Sequence, residues 1–256
     1  QRHQPEQAVP YLERALQLKE GIADRRGTGV VYNHLGVVAF RQGDTVTAEA
    51  HLTQALEIFE AIGAPYRVGL AYANLGLVRL AQGKYTQAHD CFERAIAIME
   101  SIGDELSVSV CLTNQGLVAL CELDRDRARD LFREARRLIQ RAGSSFGRSE
   151  VLSNLAFVAA WDGEFDAAER ILRELLAEDL PPHDAATALA TLGAILTVVG
   201  RNDEAVMSLA RATDAAEETR NLDLLRFCHA NTALYAAATG QDALFEATTT
   251  LVAREG

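Results

Sequence analysis

Apolar side chains recur along this chain at intervals of three and four, in runs long enough for several helical turns. Val31, Leu35, Val38 and Ala39 form one stripe over 28–42, and Ala48, Leu52, Ala55, Ile58 and Phe59 form the next over 45–62. That spacing is the period of an amphipathic helix. Between them, Gln42-Gly43-Asp44 breaks the pattern: Gly43 suits the left-handed residue that follows a helix, and Asp44 suits the cap of the next one. No window alternates apolar and polar residues as a half-buried strand would. The expected class is all-α.

The pattern then repeats. The segment Tyr32-Asn33-His34-Leu35-Gly36 returns as Tyr72-Ala73-Asn74-Leu75-Gly76, Leu112-Thr113-Asn114-Gln115-Gly116 and Leu152-Ser153-Asn154-Leu155-Ala156. Weaker copies end at Gly193 and Ala233, so the steps are 40, 40, 40, 37 and 40 residues. Self-similarity at this period predicts a stacked solenoid whose units bury their apolar faces against neighbours. The predicted organisation is one array over 1–256: a partial repeat 1–25, then repeats 26–65, 66–105, 106–145, 146–182, 183–221 and 222–256. These supply six helix pairs and a lone N-terminal helix at about 5–20, with Pro10 expected to kink it or fray its start. The chain opens inside the second half of a repeat without an initiator Met, which predicts a piece of a longer protein.

Glycine inside a helix costs about 1 kcal/mol relative to alanine. Its return at Gly36, Gly76, Gly116 and Gly193 marks a place where bulk does not fit. Twelve residues on, Ala48, Ala88, Ala128, Ala168 and Ala205 offer a second small surface, so the helices of a pair are expected to touch there. Phe245 takes that place in the sixth unit, which predicts a different packing of the last pair.

These residues carry a resemblance. The second repeat reads Tyr72, Leu75-Gly76, Gly83, Ala88, Phe92, Ala95, and the fifth reads Leu189, Leu192-Gly193, Gly200, Ala205, Leu209, Ala212. The third keeps Leu112, Gly116, Ala128, Phe132 and Ala135 but has Leu123 at the turn glycine. The chain thereby resembles the tetratricopeptide repeat family, whose usual unit has 34 residues. The longer variant is similar to kinesin light chains, Leu-Gly-Asn polarity adaptors and the helical arms of bacterial signalling ATPases and LuxR/MalT-type regulators. The match weakens after Pro181-Pro182 and in the last repeat. The resemblance implies a right-handed superhelix whose first helices line a concave groove. It also implies a non-catalytic protein- or peptide-binding scaffold or sensor arm, in the cytoplasm, within a bacterial signalling or transcriptional regulator.

In that arrangement the polar position of each copy, His34, Asn74, Asn114, Asn154, Thr191 and Asn231, falls on the groove. Mid-helix asparagine is mildly unfavourable, so its recurrence calls for a reason. One reading is a ladder of amides that hydrogen-bond an extended peptide; the other is that each asparagine ties neighbouring helices together or faces water. Leu77, Leu117 and Phe157 would add an apolar strip suited to an amphipathic or extended segment. Trp161 is read as packing at a repeat joint near the groove's rim. No clamp of lysines and asparagines for a free carboxylate is present on these helices.

Charge narrows the partners. Of the net −11, residues 1–148 contribute 18 basic and 18 acidic side chains, and residues 149–256 contribute 7 and 18. An acidic half repels phosphate backbones, so direct nucleic-acid binding by this segment is not expected. The arginine run from Arg125 to Arg148 is read as a solvated face. Cys91, Cys111, Cys121 and Cys228 form no metal-ligand pair and are read as small apolar residues. Gly76 and Gly83-Lys84 lack phosphate-loop spacing, and the six histidines fall in different repeats. No catalysis, cofactor or metal is expected. No apolar run approaches the ~20 residues of a membrane span. The alternatives are self-association through the apolar last helix (Ala243, Leu244, Phe245, Leu251, Val252) and a small-molecule sensor in the same groove.

Overall fold

Aspartates start helices at regular intervals. Asp24, Asp44, Asp104 and Asp124 each accept a hydrogen bond from the backbone N–H three residues on, satisfying a donor the first turn leaves free. At Ala64 no side chain caps, and Pro65 opens the helix instead, where its missing N–H costs nothing. The computed structural model describes residues 5–219 and 222–254; of the positions discussed above, His3 and the side chain of Leu251 lie outside the described residues.

Thirteen helices are described: α1 Pro5–Gly21, α2 Arg25–Arg41, α3 Thr45–Ala61, α4 Pro65–Ala81, α5 Tyr85–Ser101, α6 Glu105–Cys121, α7 Arg125–Arg141, α8 Arg148–Trp161, α9 Phe165–Leu176, α10 Pro182–Val199, α11 Asn202–Thr219, α12 Leu222–Thr239 and α13 Asp242–Arg254. The first helix of the type unit begins at Arg25 rather than 28, because Asp24 caps it from three residues earlier than the apolar stripe indicates. α1 runs through Pro10 as one helix.

The chain divides into two compact units, 1–143 and 144–256. In the first, the pairs α2–α3, α4–α5 and α6–α7 pack along their length, and each first helix also packs on the preceding second helix. The first helices α2, α4 and α6 touch one another only lightly. In the second unit α10 packs broadly against α8 and α12 as well as α9 and α11. Small residues permit this: Ala186, Ala190, Ala212 and Ala216 are fully buried around Leu189, Leu224 and Cys228. α10 is apolar and long enough to cross a membrane by length and composition, and it is largely buried in this core.

The recurring glycines approach a residue other than the one expected. A Cβ built on Gly76 would lie 2.6 Å from the Phe92 ring, and one on Gly116 would lie 2.3 Å from Phe132. At Gly36 and Gly193 the blocking side chains are Leu52 and Leu209, each at 2.6 Å. The close partner is therefore the large residue sixteen positions on. The alanine twelve on contributes its backbone carbonyl, 3.2 Å away at Ala48 and 3.4 Å at Ala205. In the last pair Phe245 is exposed rather than packed at the alanine position.

At the turns, Gly43, Gly83 and Gly163 hold φ of +80°, +71° and +82°, and Leu123 holds +62° in the same place. A side chain strains this left-handed conformation by roughly 1 kcal/mol. Leu123 is 71% exposed, so removing its side chain forfeits little burial. Leu123→Gly should therefore stabilise the protein by about 0.5–1 kcal/mol in a denaturant titration, against the usual direction for glycine. A loss of stability would show that Leu123 has a packing role.

Candidate partner-binding surface

The polar position on each first helix does not have one environment. His34 on α2 is exposed. Asn74 on α4 donates from Nδ2 to Oδ1 of Asn33 on α2, at 3.0 Å, and so bridges two repeats. Asn114 on α6 is only 7% exposed, beside Gln115, whose amide lies 2.9 Å from His89 Nδ1. These three residues thus differ in how much of their polar surface could meet a partner. Leu77 and Leu117 are half-buried, and Leu77 packs on the cluster of Ala88, Phe92 and Val118. Arg79, basic and on the same helix, is engaged by Cys91 Sγ at 2.9 Å and by Glu49 at 3.6 Å. Burial opposes ionisation of Glu49, but hydrogen bonds from Gln82 and Lys84 and the nearby positive charges outweigh it and hold its pKa below the usual value.

In the second unit, α8 carries Asn154, Phe157 and Trp161 one turn apart. Asn154 Nδ2 is buried without a hydrogen-bond partner. Phe157 meets Trp161 edge-on, with ring centroids 5.8 Å apart and planes at 67°. Both remain substantially exposed, Phe157 at 48%. The matching positions on α10 are Thr191, Ala194 and Val198, and on α12 Asn231, Leu234 and Ala238. Val198 is 64% exposed and Leu234 51%. Thr191 and Asn231 bond to carbonyls of their own helices, those of Thr187 and Phe227.

Sequence reasoning placed Phe157 on the groove and read Trp161 as packing at a repeat joint near its rim; it did not single out Asn33 or Val198. Asn33 stands in a row that continues as Ala73, Thr113 and Ser153, and its pairing with Asn74 depends on how successive repeats are offset. Three cysteines are buried and Cys121 is exposed. Burial pushes the Cys111 thiol up to about 12 and the Cys228 thiol to about 11, which leaves both unreactive. The arginine run is matched by carboxylates: Arg129 with Asp126, Arg137 with Glu134, Arg141 with Glu105 and Arg148 with Glu178. Among the described residues no group of three or more His, Cys, Asp or Glu could hold a metal ion.

Comparison with known proteins is consistent with this geometry. Models described as "Tetratricopeptide repeat" match residues 1–61 and 67–142, and again 149–174. No curated protein matches the chain. Among solved structures, the apo form of RapI superposes with a TM-score of 0.78 at 13% identity, covering 99% of this chain and 92% of that one. BtubC (BKLC) from P. vanneervenii gives 0.69 at 19% identity, covering 86% and 94%. The Rap conjugation gene regulator of plasmid pLS20, in complex with the Phr* peptide, gives 0.73 at 16% identity, covering 86% and 61%. At these identities the likeness is one of fold.

Proposed function

We propose that the chain, which belongs to the tetratricopeptide repeat family, is a non-catalytic module that binds a protein or peptide segment along its first helices. It would serve as the sensor or scaffold arm of a bacterial signalling or transcriptional regulator. The observation that carries this reading is the set of large apolar side chains left in water at matching repeat positions: Phe157 and Trp161 on α8, Val198 on α10, Leu234 on α12. Apolar surface of this kind, repeated and rimmed by Asn154, Thr191 and Asn231, is what an amphipathic or extended segment would cover. In the first unit the corresponding positions are His34, Asn74, Asn114, Leu77 and Leu117, of which His34 is the most open to a partner and Asn114 the least. A structurally similar Rap protein holds a peptide, which supports a peptide as the occupant.

The test places a photo-crosslinking amino acid at Phe157 or Leu234, with Val46 on α3, also well exposed, as control. Adducts of one defined mass are expected from 157 and 234 in cells and none from 46. An adduct of twice the protomer mass would identify the partner as a second copy of the chain. No adduct from either position, or equal yield from 46, would overturn the proposal.

A further inference from the structure

At the seam between each first helix and the two flanking second helices, the first two repeats place a tyrosine. Tyr32 points its hydroxyl at Glu20 Oε1, 3.5 Å away, and Tyr72 donates to Glu60 Oε1 at 3.1 Å. Arg94 completes the second arrangement, donating to the Tyr72 hydroxyl at 3.1 Å with its guanidinium 5.5 Å from the ring centre. Forty residues on, two of these three members change. Leu112 replaces the tyrosine, Glu134 replaces the arginine, and Glu100 keeps the carboxylate.

The exchange leaves a cleft of about 300 Å³ between α5, α6 and α7. Val108, Leu112 and Leu138 form its apolar floor, and Glu100 and Glu134 stand at its rim. Glu105 and Arg141 also line it and neutralise each other through a 2.8 Å ion pair. Glu134 meets Arg137 at 2.7 Å on one oxygen, and among the described residues the Glu100 carboxylate has no partner. A cleft of about 260 Å³ recurs where Leu189 holds the tyrosine's position in the fifth pair, there with Arg173 and Arg211 in its lining. Both clefts lie where a leucine holds the tyrosine's position, and their charge differs from copy to copy.

We infer that the cleft of the third repeat is a socket for a cationic side chain on an apolar stem, a lysine or arginine of a partner protein. The earlier copies show that an elongated side chain with a polar tip fits this seam against the carboxylate of the preceding second helix. A phenol has one proton to donate, whereas Glu100 and Glu134 present two acceptors and excess negative charge. An ammonium or guanidinium satisfies both while its stem covers Val108, Leu112 and Leu138. This socket is separate from the exposed strip on α8, α10 and α12 and does not depend on it.

Benzylammonium, which carries its charge where the tyrosine hydroxyl would lie, is the probe, with benzyl alcohol and benzoate as controls. Methyl NMR titrations should show Val108, Leu112 and Leu138 shifting with benzylammonium, bound about tenfold or more tightly than the alcohol, and benzoate not binding there. Leu112→Tyr should refill the seam and abolish the response. The pair Glu100→Gln and Glu134→Gln should reduce benzylammonium to the level of the alcohol. Equal binding of alcohol and ammonium, or an undiminished response in the double glutamine variant, would overturn the assignment. If Leu112→Tyr fails to fold, the glutamine variant decides alone.

Discussion

Phe132→Ala is expected to destabilise the protein by about 3–5 kcal/mol, read as a shift of the denaturant midpoint followed by circular dichroism. Phe132 is fully buried on α7, and its ring edge lies against the backbone of Gly116 on α6. Truncation removes the ring's burial and leaves a hole that the two backbones are too constrained to close. Phe132→Leu should cost far less, because Leu52 and Leu209 fill the same position in the first and fifth pairs. Equal losses for the two substitutions would mean that the ring is not what holds α6 to α7.

Gly116→Leu should be comparably damaging, by about 3 kcal/mol, at the upper end of what overpacking usually costs. Helix propensity alone predicts the opposite sign, since leucine outranks glycine by nearly 1 kcal/mol. Space decides, because a Cβ at 116 already falls 2.3 Å from the Phe132 ring and the rest of the side chain has nowhere to go. Combining Gly116→Leu with Phe132→Ala offers the new side chain the vacated volume. The double variant should then be more stable than the sum of the two single losses predicts. Strict additivity would disprove the contact between 116 and 132.

How much of this was legible in the chain follows from the range of each interaction. The junction at Gly43 and Asp44 was readable because a left-handed turn and a capping carboxylate act within three or four residues. The first-helix boundary was off by three residues because Asp24 lies outside the apolar stripe that signals the helix. Phe157 was expected on the groove, and the structure leaves it 48% exposed. The row of asparagines was legible with two readings left open, and its members divide: Asn74 ties to Asn33 forty-one residues away, while Asn231 turns back onto its own helix.

The sequence by itself determined the helices, their pairing and the repeat, since period, turn conformation and capping are local and return about every forty residues. Only the tertiary structure decided which large residue presses on each recurring glycine, and that Asn154 keeps a buried amide without a partner. It also placed a cleft of about 300 Å³ at Leu112, where the preceding repeat has Tyr72. Those outcomes depend on the distance and angle at which one helix pair meets the next, and that geometry is set by many side chains packing at once.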